Sequence, residues 1–127
     1  MLSTLEREAT MTLPNAALLL RIYLGEAERA GSGPLFEALV LKAREMGLAG
    51  ATVLRGPMGF GHSGEIHTTK ILDLSSNLPL VVEIVDVREK IEAFLDAVEE
   101  MLVSTLVTLE KVRVLQYGKT RHDVGAE

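Results

Sequence analysis

At 127 residues the chain has the size of one domain, and a hydrophobic share of 47% is enough to build a core without covalent staples. The absence of cysteine excludes disulfides, thiolate metal ligands and thiol nucleophiles, and fits a reducing cytoplasm. Thirteen Lys and Arg against 18 Asp and Glu leave a net charge of −5, with no basic patch to track a phosphate backbone, so no nucleic-acid partner is expected.

The opening MLSTLEREATMTLPN carries Glu6, Arg7 and Glu8 and no long apolar run, so it does not read as a signal peptide. Residues 1–15 are expected to form a flexible tail, with Met11 as an alternative start. No apolar stretch reaches membrane-spanning length, and the expected location is the cytoplasm.

From Ala16 to Leu24, Leu18, Leu20, Ile22 and Leu24 alternate with Leu19, Arg21 and Tyr23, the period of a strand. Gly25–Gly33 reads as a loop, and Pro34 suits the first position of a helix because its missing N–H would have no partner there. Leu35, Phe36, Leu39, Val40, Ala43 and Met46 share one helical face, and Gly47 stops the helix. Ala51–Arg55 is a short second strand and Leu80–Val85 a third. Asp86 with Glu89 resembles a capping box opening a second helix, whose stripe is Val87, Ile91, Phe94, Leu95, Val98, Met101 and Leu102. Glu92, Asp96, Glu99 and Glu100 form its solvated face. Leu109–Tyr117 is the expected fourth strand, and residues 119–127 a loose polar tail.

Two helices with one buried stripe each belong on one face of a four-stranded antiparallel sheet. The fold class is α+β, a ferredoxin-like βαββαβ sandwich spanning residues 16–118. Leu20, Ile22, Val82, Ile84, Val112 and Val114 are the candidates beneath the helices. The opposite face then carries Leu19, Tyr23, Val81, Val85, Leu115 and Tyr117, with Arg21, Glu83 and Arg113 among them. That face is too apolar to stand alone in water, which predicts oligomerisation.

Residues 56–77 are long for a connection between two strands. Gly56, Gly59, Gly61 and Gly64 let backbone amides approach an anion, although tight turns need glycines equally. Phe60 offers a flat ring to a base, and His62, Ser63, His67, Thr68 and Thr69 add polar groups. Gly59 to Gly64 matches GxGxxG, but Ile66-His67-Thr68-Thr69 follows it and is no helix, which excludes the dinucleotide fingerprint. His62, Glu65 and His67 could serve a metal through imidazole and carboxylate, at a spacing that matches no strong signature. Catalysis has little support: Ser63 lacks an orienting acid, and Glu65 and Asp73 lack an apolar pocket to separate their acidities. A small phosphate-ester hydrolase using Arg21 or Arg55 is the remaining enzymatic alternative.

The segments LRIYLGE, GPLFEALVLKAREMGLAGATVLRGPMGFGHSGEIHTT, LPLVVEIVDVREKIEAFLDAVEEML and VTLEKVRVLQYG resemble the small uncharacterised PII-like proteins, related to nitrogen regulatory PII proteins, over about residues 16–118. The run from Arg55 to Thr68 is the most specific part. The resemblance implies a homotrimer whose sheet faces line the centre. It implies a signalling or sensor role with a small anionic ligand, such as an adenine nucleotide, between subunits at the base of the long loop. Arg55, Gly56, Gly59, Phe60, Gly61, His62, Ser63, Gly64, His67, Arg113 and Tyr117 are the implied ligand-binding residues. A membrane transporter or channel is an implied regulatory target, because PII proteins signal when ligand reshapes the long loop, which then docks on a transporter, enzyme or regulator. Genes of the family often neighbour one for a fluoride channel, which points to ion or stress physiology. Two features depart from signalling PII proteins. Val103-Ser104-Thr105-Leu106 holds no glycine where their phosphate loop lies, and residues 56–77 hold no tyrosine for modification.

Overall fold

The computed structural model describes Ser3 and residues 12–69 and 77–125. Most of the N-terminal tail, Asp73 and the end of the loop lie outside the described residues.

Four strands form the sheet: β1 (Ala16–Gly25), β4 (Thr52–Arg55), β7 (Pro79–Asp86) and β8 (Leu106–Arg113). Their order is β4-β7-β1-β8 and every pairing is antiparallel, as expected for βαββαβ. Helices α1 (Leu35–Glu45) and α2 (Arg88–Ala97) supply the second layer. Short pairs decorate this frame: β2 (Arg29–Ala30) with β3 (Gly33–Pro34), β5 (Met58–Gly59) with β6 (His67–Thr68), and β9 (Gln116–Tyr117) with β10 (Thr120–Arg121).

The core forms where the alternating residues of β1 and β7 meet the helical stripes. Leu20, Ile22, Val82 and Ile84 are fully buried with Leu39, Ile91, Phe94 and Val98. Each such side chain contributes roughly 1.5–3 kcal/mol before conformational entropy opposes it.

α1 starts one residue later than the sequence suggests. Pro34 is extended at ψ 139° and precedes the helix. Its C-terminus closes as expected: Gly47 adopts φ +75°, and Leu48 N–H donates to Ala43 O at 3.0 Å. Nothing lies within 4 Å of a Cβ built on Gly47, so replacing it tests the backbone alone. Gly47→Ala is expected to cost about 1 kcal/mol and lower Tm by about 4 °C in a thermal melt.

Three expectations need correction. Asp86 does not cap α2: β7 continues through it, paired with Leu18, and Val87 takes the capping position without a side-chain bond. The second helix is also broken, α2 ending at Ala97 and a 3₁₀ turn following at Glu99–Leu102. The fourth strand runs from Leu106 to Arg113, not from Leu109 to Tyr117. Ile22 pairs with Val107 and Ala17 with Val112, which puts Val107 on the helix side and Val112 on the other. Val112 and Val114 therefore leave the main core. They join Leu13, Ala17, Ala49, Val85 and Tyr117 in a second cluster at the far end of the outer face. Arg113 falls opposite Ala16, out of phase with Arg21 and Glu83, and Leu115 and Tyr117 lie beyond the strand.

The boundary expected at residue 118 falls inside the β9–β10 hairpin. His122 bonds Leu13 O through Nε2 at 2.7 Å, and Arg113 donates to Val124 O, so described residues beyond 118 are tied back to the domain.

Candidate functional site: the loop base and the outer sheet face

β1 and β7 deliver their ends to one edge of the sheet, where Gly25 pairs with Pro79. β4 ends beside them at Arg55, paired with Leu80. The long loop leaves and returns at this edge. Gly56 N–H donates to Pro79 O at 2.8 Å, and Thr69 N–H to Pro57 O at 3.0 Å. A Cβ on Gly56 or Gly59 would sit 3.1 Å from Pro79 Cγ, so these two glycines allow proline to pack across the loop base. Gly64 serves a turn instead, at φ +77° with its N–H donating to Gly61 O at 2.9 Å. Gly61 has open space around it.

β5 and β6 make the first part of the loop a hairpin, with Met58 opposite Thr68 and Gly59 opposite His67. Its tip carries exposed His62, Ser63 and Glu65, and His67 is half-buried at its base. Phe60 is 72% exposed just beyond Gly59. Arg55 forms an ion pair with Glu26, which follows β1. The loop base thus gathers Arg55, Gly56, Gly59 and Phe60, with Gly61 to Gly64 in the hairpin above.

Arg113 and Tyr117 are not part of this group within one chain. Arg113 lies beside Ala16, at the opposite end of β1 from Gly25, about 30 Å away at strand rise. The Tyr117 hydroxyl donates to Ala49 O at 2.6 Å. Nor is Arg21 near the glycines as the hydrolase alternative requires. It sits mid-sheet on the outer face, donating to Glu83 at 2.9 Å and Glu110 at 3.1 Å. The hydrogen bond it donates to Glu83 raises its already high pKa, so Arg21 stays charged at every accessible pH. Among the described residues no three His, Asp or Glu side chains come together to hold a metal.

Sequence reasoning missed a groove of about 710 Å³ beside the β1 exit, lined by Glu28, Arg29, Leu35, Met101 and Ser104 among others. It arises where residues 28–38 meet residues 100–104, a proximity no local pattern encodes.

The outer sheet face is ordered in rows by the register. Leu54, Val81, Tyr23 and Leu106 form an apolar row next to the loop edge. Glu83 and Arg21 lie in the next row, with Glu110 beyond. Leu54, Tyr23 and Leu106 remain exposed, while the far end of the face is covered by the chain's own Leu13, Val114 and Tyr117.

The family described as DUF190, an uncharacterized ACR (COG1993), matches residues 17–114. The chain belongs to the DUF190 family. A UPF0166 protein of Aquifex aeolicus (strain VF5) is 43% identical over 97 residues, 76% of this chain and 91% of that protein. UPF0166 protein MJ1524 of Methanocaldococcus jannaschii is 33% identical over 86 residues, 68% of this chain and 79% of its own length. In structure this DUF190 chain is similar to CPII, a nitrogen regulatory PII-like protein from Thiomonas intermedia K12, solved with ADP, AMP and bicarbonate. The TM-score is 0.60 at 15% identity, covering 78% of this chain and 88% of CPII. TTHA0516 of Thermus thermophilus, a candidate PII-like signaling protein, gives a TM-score of 0.58 at 15% identity, covering 81% and 93%. The DUF190 fold is thus PII-like, α+β and ferredoxin-like. No helix among the described residues is long and apolar enough to cross a membrane.

Proposed function

We propose that this chain is a PII-like sensor that binds a small anion, an adenine nucleotide or bicarbonate, at the loop base between subunits of a homotrimer. One observation carries the reading: the foot of a pinned glycine-rich loop carries both an exposed guanidinium, Arg55, and an exposed ring, Phe60. The solved neighbour CPII on this fold is bound to ADP, AMP and bicarbonate, which supports that ligand class. Arg55 takes the anionic group as a charge-assisted donor. Phe60 stacks on the base, and Gly61, His62, Ser63 and Gly64 close over it. His67, opposite Gly59, holds the hairpin in place.

The apolar row of Leu54, Val81, Tyr23 and Leu106, exposed at all but Val81, supports the trimer, because such a patch is stable in water only when covered. A neighbouring copy then brings its own Arg113 and Tyr117 to the cleft as the facing wall. The unit that does this is residues 16–118, working in the cytoplasm, and the loop presents the bound state to a membrane transporter or channel.

Thermal melts with ADP, AMP, ATP and bicarbonate test the reading, with mass in solution measured alongside. A ligand at a hundred times its Kd adds about 2.7 kcal/mol, or about 10 °C for a domain of this size. Arg55→Gln is expected to weaken binding about tenfold or more. A monomer that responds to none of these ligands overturns the reading.

A further inference from the structure

Glu26 is the ion-pair partner of Arg55. It is itself held firmly. Its N–H donates to Leu78 O at 2.8 Å, and the next N–H, of Ala27, donates to Asn77 Oδ1 at 2.7 Å. Asn77 lies so close over Gly25 that a Cβ there would sit 2.6 Å from its Oδ1. The side chain of Glu26 is 22% exposed and that of Arg55 60%. The backbone at Glu26 is therefore the fixed point, and the long, more exposed guanidinium arm is the one that can leave. The pair also spans the junction, joining the turn after β1 to the last residue before the loop.

We infer that Glu26 belongs to the ligand site as its resident anion: it latches Arg55 to the β1 exit in the empty protein and competes with the incoming anion. The inference rests on reading Arg55 as the anion contact. Two physical arguments support it. An ion pair this exposed is weak, because water and salt screen it, so a phosphate with more acceptor oxygens and more charge can replace it. The displaced carboxylate then repels the bound anion and turns away, which separates the loop from the turn at 25–28. Charge exchange at Arg55 thus becomes a change in how the loop is held. It also sets a threshold, because an anion that grips Arg55 no better than a carboxylate does not open the latch.

The test compares wild type, Glu26→Gln, Arg55→Gln and the double variant in two measurements. In ligand-free protein, hydrogen exchange reads the Gly56 amide, which bonds Pro79 O across the loop base. Glu26→Gln and Arg55→Gln should each speed it about threefold, and the double variant should add nothing further. Calorimetry with ADP should show Glu26→Gln binding about threefold tighter than wild type, with that gain lost in the Arg55→Gln background. Unchanged exchange in Glu26→Gln overturns the latch whatever ADP does. Faster exchange with weaker or equal ADP binding overturns the competition. Faster exchange with no ADP binding in any form keeps the latch and sinks the nucleotide reading instead.

Discussion

Tyr23→Asp is expected to yield a folded monomer. Tyr23 lies on central strand β1, in the apolar row with Leu54, Val81 and Leu106, and is 37% exposed on the side away from the core. A carboxylate there costs the isolated subunit little. In the proposed trimer it would be desolvated without a partner at every subunit. At about 2 kcal/mol per aromatic anchor, three copies lower the association constant by on the order of 10⁴. Light scattering reads the mass, and circular dichroism checks the fold. Leu41→Asp is the control, an equally apolar residue exposed on α1. It should leave the assembly intact. A wild type that is already monomeric, or a Tyr23→Asp form that stays trimeric, would remove this face from the account.

The second large effect is at Asp86, which is 2% exposed. Its Oδ2 accepts from Ala49 N–H at 2.9 Å and its Oδ1 from Val87 N–H at 2.7 Å. Ala49 O accepts in turn from Tyr117, so one residue's backbone is gripped from both sides and the turn after α1 is fastened to the second cluster. Asp86→Ala leaves two part-buried donors without partners and should cost about 3 kcal/mol, lowering Tm by about 10 °C. Asp86→Asn keeps one acceptor and should lose about half as much. Equal melting points for all three forms would show that Asp86 contributes nothing to this end of the domain.

The parts of the fold that were legible in the sequence are those with a single phase. β1 and β7 alternate without interruption, and both helices show one apolar stripe, so their existence and inner faces could be read directly. β8 could not be. Val107 and Leu109 alternate in one phase, Val112 and Val114 in the other, and only the pairing of Val107 with Ile22 decides which set faces the helices. A shift of phase by one residue exchanges the two faces, and that is how Val112 and Val114 came to be expected in the wrong layer. Asp86 was ambiguous for a different reason. An aspartate before a helix can cap it or accept a distant amide, and the distant amide of Ala49 is invisible to local patterning. The site was legible only as a glycine-rich segment. That Gly56 and Gly59 make room for Pro79 depends on a contact between residues far apart in the chain, and the Glu26–Arg55 pair on one across 29 residues.

The stitching of the loop base has a consequence for how this protein can diversify. Gly56 and Pro79 hold the two ends of the intervening segment at a fixed separation. The entropy of a closed loop grows only with the logarithm of its length, about 0.6 kcal/mol for each doubling. Insertions or deletions beyond the hairpin therefore cost the sheet almost nothing. The segment beyond the hairpin can be rewritten while the domain beneath it, and the stitch between Gly56 and Pro79 at its foot, stay unchanged.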